Sequence, residues 1–269
     1  MTAQRRSRIE WFAPAIDNRV SRIMSKTKPI PPKLFTALTA NPYIDKLYIF
    51  GSRATLGSDQ FSDIDLTAIT SCPVAAENYT RKTLDNQFGI IATYTIAQND
   101  HEVARSFFLS SMSLFHKIDI GFSLPDKTKL FPNSTLIFQN GHADHQPAEK
   151  SDKTWTESDE QHNYMDVLMG SLRYIKHQYR QEYWSAYKCY RGFIEQLAQS
   201  RIESQSSTDR YKELDKKHND EILGLFFSGN LHAKEQKYYE FVKKLIDEKQ
   251  LLPKFSDGVL KVWKEYLDK

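Results

Sequence analysis

Apolar and polar positions alternate over short stretches in the first half of the chain and recur at helical spacing in the second. Period-two runs bounded by turn residues predict strands at 47–50, 63–69, 90–97, 113–123 and 135–138, because successive side chains of a strand point to opposite faces. Helical spacing predicts helices near 7–24, 31–40, 76–88 and 99–108. All periodicity stops over residues 139–156, a polar tract that marks a boundary. Beyond it, Tyr164, Val167, Leu168, Leu172, Ile175 and Tyr179 form one helical stripe, and Tyr183, Tyr187, Tyr190, Ile194 and Leu197 form another. Two more helices are expected at 234–250 and 256–267, punctuated by Pro253, and residues 200–219 read as a connection or a weak helix. The expected fold class is α+β: a mixed β-sheet flanked by helices over residues 1–140, then an all-α helical bundle over residues 155–269.

Composition narrows the setting. A chain of 269 residues can bury one large core or two modest ones. No apolar run approaches the roughly 20 residues that span a bilayer. Met1-Thr-Ala-Gln-Arg-Arg6 is not followed by the apolar stretch of a secretory leader. No membrane is expected, and the location read is cytoplasmic. Cys72 and Cys189 stand alone, without metal-binding or disulfide-scaffold spacing, and are read as reduced thiols. The net charge of +3 is slight, and basic groups such as Arg5-Arg6-Ser7-Arg8 and Lys216-Lys217-His218 are short and mixed with acids. This argues against a general nucleic-acid binder, though a local RNA groove remains compatible with it.

The strongest chemical signal is Leu47-Tyr48-Ile49-Phe50-Gly51-Ser52-Arg53 followed by Ser62-Asp63-Ile64-Asp65-Leu66. On a strand, Asp63 and Asp65 share one face while Ile64 points into a core. Two carboxylates so placed repel each other unless a cation neutralises them. Oxygen-only ligands favour Mg²⁺, which binds through one or two carboxylates and substrate phosphates. Gly51 permits close backbone approach, and Ser52 and the amides after it can donate to phosphate oxygens. A third acid is offered by Asp119, within the apolar segment 113–123, although Asp100 or another acid could take that place. Beside the Asp63 strand, Asp119 would lie roughly 4.5–5.5 Å away at Cβ, suiting two cations about 3.5–4 Å apart.

Gly51-Ser52 with Asp63-Ile64-Asp65 resembles the signature of the nucleotidyltransferase superfamily that includes DNA polymerase beta. Within it, Phe50-Gly-Ser-Arg-Ala-Thr55 through Phe61-Ser-Asp-Ile-Asp-Leu66 is similar to the form seen in bacterial antibiotic nucleotidyltransferases and in the minimal nucleotidyltransferases of toxin-antitoxin operons. The motif resemblance covers roughly residues 44–124. It implies that residues 1–140 are the catalytic domain and that the helical half helps bind the acceptor in a cleft, as in kanamycin and streptomycin nucleotidyltransferases. It further implies transfer of a nucleoside monophosphate, most simply AMP from ATP, to a hydroxyl of a small molecule such as an antibiotic, with release of pyrophosphate. The alternative acceptor is a tRNA or a partner protein. By the same resemblance Asp63, Asp65 and Asp119 are the catalytic, metal-holding residues for two Mg²⁺ ions. Gly51, Ser52, Arg53 and Lys188 bind the nucleoside triphosphate. A monomer or a homodimer is equally compatible.

Other residues read more plainly. Trp155, Tyr183 and Trp184 invite a substrate-stacking role, but aromatics at helical spacing normally pack in a core. Lys188 and Arg191 flank Tyr190 and could reach a triphosphate. Glu157, Asp159, Glu160 and Asp166 suit either a general base or a helix N-terminus, where acids are favoured. His142, Asp144 and His145 lack a fourth ligand. Arg173 and His177 read as a surface pair. GxxxxGK[ST], GxGxxG and HExxH are all absent.

Overall fold

The computed structural model describes residues 30–55, 57–140, 157–200 and 230–269. The helix expected at 7–24, the polar tract from 141 to 156 and the segment 201–219 lie outside the described residues, as do Trp155, His142, Asp144 and His145.

In chain order the elements are α1 (Pro32–Thr39), β1 (Lys46–Phe50), a 3₁₀ turn (Gly51–Arg53), β2 (Ile64–Ile69), α2 (Pro73–Phe88), β3 (Ile90–Gln98), β4 (Glu102–Leu109), β5 (Ile118–Ser123) and β6 (Thr135–Gln139). The helices α3 (Asp159–Tyr179), α4 (Tyr183–Ser200), α5 (Leu231–Lys249) and α6 (Pro253–Leu267) follow. Proline begins α1, α2 and α6, where its fixed φ suits the first turn and its missing N–H is not needed.

The six strands form one sheet in the order β3-β4-β5-β2-β1-β6. All neighbours are antiparallel except β2 and β5, which run parallel, so the sheet is mixed. The back of the sheet carries Leu47, Ile64, Leu66, Phe107, Ile118, Ile120 and Phe122, which close a core with Leu34, Leu38, Ala76 and Leu84 of α1 and α2. The front carries polar groups at its centre and apolar ones towards β3. There, Ala92 and Phe108 join a second core with Tyr164, Leu168, Tyr174, Phe193, Tyr238 and Trp263 of the four later helices. Phe108 meets Phe255 edge-on at 4.7 Å between ring centroids. The later helices thus pack on the front of the sheet towards β3, and Lys176 of α3 reaches Asp63 at its centre.

Three expectations need correction. Residues 99–108 do not form a helix; they contain the hairpin turn and most of β4. Asn99 accepts hydrogen bonds from the amides of His101 and Glu102, both at 3.0 Å, which is the chemistry of a helix cap used here to close a hairpin. Both faces of β4 are buried, which hides the strand's alternation, and Arg105 in its middle pairs at 3.8 Å with Glu77 of α2. The strand expected over 113–123 begins only at Ile118, because Ser113 accepts from the amide of His116 at 2.8 Å and forms a turn. Finally, Tyr183 and Trp184 are 63% and 70% exposed; α4 packs through Ala186, Tyr190, Phe193 and Ile194 instead.

Candidate active site

The front-centre of the sheet is built around β2 and β5. Their parallel register sets Asp65 opposite Asp119, and Asp63, two residues ahead of Asp65, continues the same face. Ile64 and Ile118 turn into the back core, so burial of the apolar set commits the carboxylates to the front. On the antiparallel neighbour, Ser106 faces Asp119 and its hydroxyl donates to Oδ1 at 2.6 Å.

The turn after β1 closes over this face. Gly51 has φ of +69°, in the left-handed region, and a Cβ there would lie 2.3 Å from Asp65 Oδ2. Both conformation and space demand glycine. Arg53, which the resemblance assigns to the triphosphate, is only 6% exposed. Its Nε donates to the carbonyl of Asp63 at 2.8 Å and its Nη2 to that of Ser62 at 2.9 Å. Burial lowers its pKa, opposed by Asp63, Asp65 and Asp59. Arg53 therefore ties the turn to the entry of β2, beneath the site.

The loop between the turn and β2 is fastened to the helical half. Arg180, just past α3, forms a bidentate pair with Asp59, with both N···O distances 2.6 Å. The Arg180 hydrogen bonds hold the Asp59 carboxyl far below its ordinary range. Phe61 stacks on Tyr179 at 5.4 Å and meets Phe115 edge-on at 5.3 Å. These contacts shape an open cleft of about 740 Å³ whose lining includes Ser52, Asp63, Asp65, Lys176, Tyr179 and Arg180.

Two lysines that sequence reasoning missed enter the acid cluster. Lys117, two residues before Asp119 on the same strand face, bridges Asp119 Oδ2 and, at 3.5 Å, Asp63 Oδ2. Lys176 of α3 donates to Asp63 Oδ1 at 3.2 Å. Burial pulls the Lys176 pKa down, against the attraction of Asp63. Burial, then Asp119 and Asp63, push the Asp65 carboxyl up to about 6. Lys117 was signalled only by its i−2 spacing from Asp119, and Lys176 by its place beside Ile175 at the edge of the apolar stripe.

The donor chemistry suits a hard divalent cation, since three carboxylates share one face and one of them resists ionisation beside the others. As the side chains stand, no three acidic, histidine or cysteine groups among the described residues converge on a common ion position. Ammonium groups hold the space between the carboxylates instead.

Of the sequence candidates, the fold brings together Gly51, Ser52, Asp63, Asp65 and Asp119. Lys188 is exposed on α4 and is not part of the cleft lining. Glu157, only 2% exposed at its side chain, accepts from Thr95 N at 3.1 Å and pairs with His162 at 2.8 Å. Asp166 accepts from the Tyr94 hydroxyl at 2.7 Å. Asp166 of α3 and Glu157, just ahead of that helix, both bond to β3 and do not line the cleft. Asp159 and Glu160 occupy the first turn of α3 behind the Ser158 cap. His177 pairs with Glu182 at 2.6 Å, not with Arg173.

No protein-family profile matches the chain, and no curated protein matches it. Among solved structures, it overlaps the STING-associated CdnE c-di-GMP synthase of Capnocytophaga granulosa at 14% identity, covering 92% of this chain and 83% of that one, with a TM-score of 0.27. JHP933 from Helicobacter pylori overlaps at 11% identity over 92% of both chains, with a TM-score of 0.24. Overlaps of this quality do not place the chain in a family. No helix among the described residues is long and apolar enough to cross a membrane.

Proposed function

We propose that the protein is a Mg²⁺-dependent nucleotidyltransferase that moves a nucleoside monophosphate, AMP from ATP in the simplest case, onto a hydroxyl of a small-molecule acceptor and releases pyrophosphate. The observation that carries this reading is the placement of Asp65 opposite Asp119, with Asp63 on the same face and the Gly51 turn closed against Asp65.

Each residue has a physical task in this reading. Asp63, Asp65 and Asp119 would hold the metal, which when bound polarises phosphoryl oxygens and offsets charge on the leaving pyrophosphate. Ser52 lines the cleft, where it can donate to a triphosphate. Lys176 takes the cationic role that the resemblance assigns to Lys188, because its ammonium already stands at Asp63 in the cleft. The Asp59–Arg180 pair and the Phe61–Tyr179 stack hold the loop that forms one wall. A cleft of about 740 Å³ falls within the size range of small-molecule sites, which favours such an acceptor over a macromolecule.

The deciding experiment is pyrophosphate release from each of the four nucleoside triphosphates with Mg²⁺, against an aminoglycoside, a lincosamide, total tRNA and no acceptor, with Asp65→Asn as control. Release that needs a small acceptor and Asp65 supports the reading. Release only with tRNA moves the acceptor to RNA, and release unaffected by Asp65→Asn overturns the site assignment.

A further inference from the structure

The acid cluster contains a cation already. Lys117 and Lys176 are each only 14% exposed at their side chains, and both point at the carboxylates that the proposed reaction requires for metal. Three carboxylates against two ammonium groups leave the cluster with one net negative charge at full ionisation. The two lysines are not equivalent. Lys176 touches a single carboxylate, Asp63, from a helix across the cleft. Lys117 rises from β5 itself and spans Asp63 and Asp119, so that it joins the two ends of the cluster. A divalent ion bridging Asp63 and Asp119 would need this same position.

We infer that Lys117 is a resident counter-ion: its ammonium occupies the cation position between Asp63 and Asp119 in the nucleotide-free protein, so that a divalent ion enters effectively only together with a triphosphate. The inference rests on the nucleotidyl-transfer reading for the identity of that triphosphate. A divalent ion arriving alone must expel Lys117 from two partners and leave its charge stranded in a half-buried site, which costs free energy. A triphosphate brings anionic oxygens to which the displaced ammonium can turn, so the same displacement becomes favourable. Metal and nucleotide are then coupled, and the coupling is reciprocal. One consequence is protection: without nucleotide, Asp63 and Asp119 stay paired and do not collect stray divalent ions.

The test is a Mn²⁺ titration of the full chain followed by electron paramagnetic resonance, in which bound Mn²⁺ loses its sharp six-line signal, with and without a non-hydrolysable α,β-methylene analogue of ATP, the Mn²⁺ held by the analogue alone being measured without protein and subtracted. In wild type the analogue should tighten Mn²⁺ binding by about tenfold or more. Lys117→Met should bind Mn²⁺ alone about tenfold more tightly than wild type and gain little further from the analogue. Lys117→Arg, which keeps the charge, should restore the wild-type pattern. Circular dichroism confirms folding of each variant, and Lys117→Gln replaces Lys117→Met if the latter does not fold. Equal Mn²⁺ affinity for wild type and the neutral variants, with binding still dependent on the analogue, overturns the counter-ion role alone. Failure of every variant to hold Mn²⁺ even with the analogue overturns both this role and the nucleotidyl-transfer reading.

Discussion

Asp65 stands directly across the parallel β2–β5 pair from Asp119, and the turn at Gly51 is closed against it so tightly that a methyl group would lie 2.3 Å from its Oδ2. Sheet register and a missing side chain together define the most confined carboxylate of the cluster.

Asp65→Asn is expected to abolish nucleotidyl transfer while stabilising the metal-free protein near neutral pH. The native carboxyl is pushed up to about 6, whereas an unfolded Asp ionises at about 3.9. The native state therefore binds this proton more tightly. Stability from this group is complete below about pH 4 and is lost as pH rises through about 6. Urea unfolding should show Asp65→Asn more stable than wild type by about 1–2 kcal/mol at neutral pH, with the gap closing near pH 4. A less stable variant at neutral pH would show that the carboxylate is not repelled in the native fold.

Gly51→Ala should cost about 1–3 kcal/mol from the left-handed backbone and the contact with Asp65. Activity should fall further than stability, because relief of the contact moves either the turn or the carboxylate. Thermal unfolding and kcat measured together check this; intact activity would show that the turn can shift freely.

Asp63→Ala should destabilise the metal-free protein, by about 1–2 kcal/mol. A cluster of three acids read from sequence alone suggests that removing one relieves repulsion. In the fold, Asp63 is the partner of both Lys117 and Lys176, and its loss leaves half-buried ammonium groups uncompensated. Denaturation in the presence of a chelator separates this from any metal effect, and an unchanged midpoint would show that the lysines find other partners.

Lys176→Met should raise the KM for nucleoside triphosphate by about tenfold, and Lys188→Met should leave it unchanged. The contrast follows from position: Lys176 lines the cleft, and Lys188 does not. The opposite pattern in steady-state kinetics would return the triphosphate to the outer face of α4.

The Asp59–Arg180 pair should contribute about 0.5–1 kcal/mol in a double-mutant cycle, modest because Asp59 is partly exposed. Its pKa is depressed, so this contribution is present above the unfolded carboxyl range and is lost as pH falls through the native value. Its larger effect should be on KM, since the pair anchors the loop that walls the cleft.

The candidate site was legible in the sequence where local chemistry dictates it. A Gly-Ser turn after a strand, an alternating diacid and a later strand acid are statements about neighbours in the chain, and the backbone period turns them into statements about one face. Side-chain periodicity likewise located α1, α2, α5 and α6 to within a few residues, and the two apolar stripes over 164–179 and 183–197 fall within α3 and α4. What depended on distant partners was not legible. Arg53 resembles an anion-binding arginine until its carbonyl acceptors at Ser62 and Asp63 are seen. Tyr183 and Tyr187 belong to an apolar stripe by spacing, yet α4 presents Ala186 and Phe193 to its neighbours.

By itself, then, the sequence determined the local conformations and the set of groups that share the front of β2, because those follow from strand period and from what glycine alone permits. Only the tertiary structure decided what neutralises them. Lys117 reaches Asp63 because β5 lies beside β2, and Lys176 reaches it because α3 crosses the front of the sheet. Electrostatic interaction depends on separation in space, and separation along the chain does not encode it.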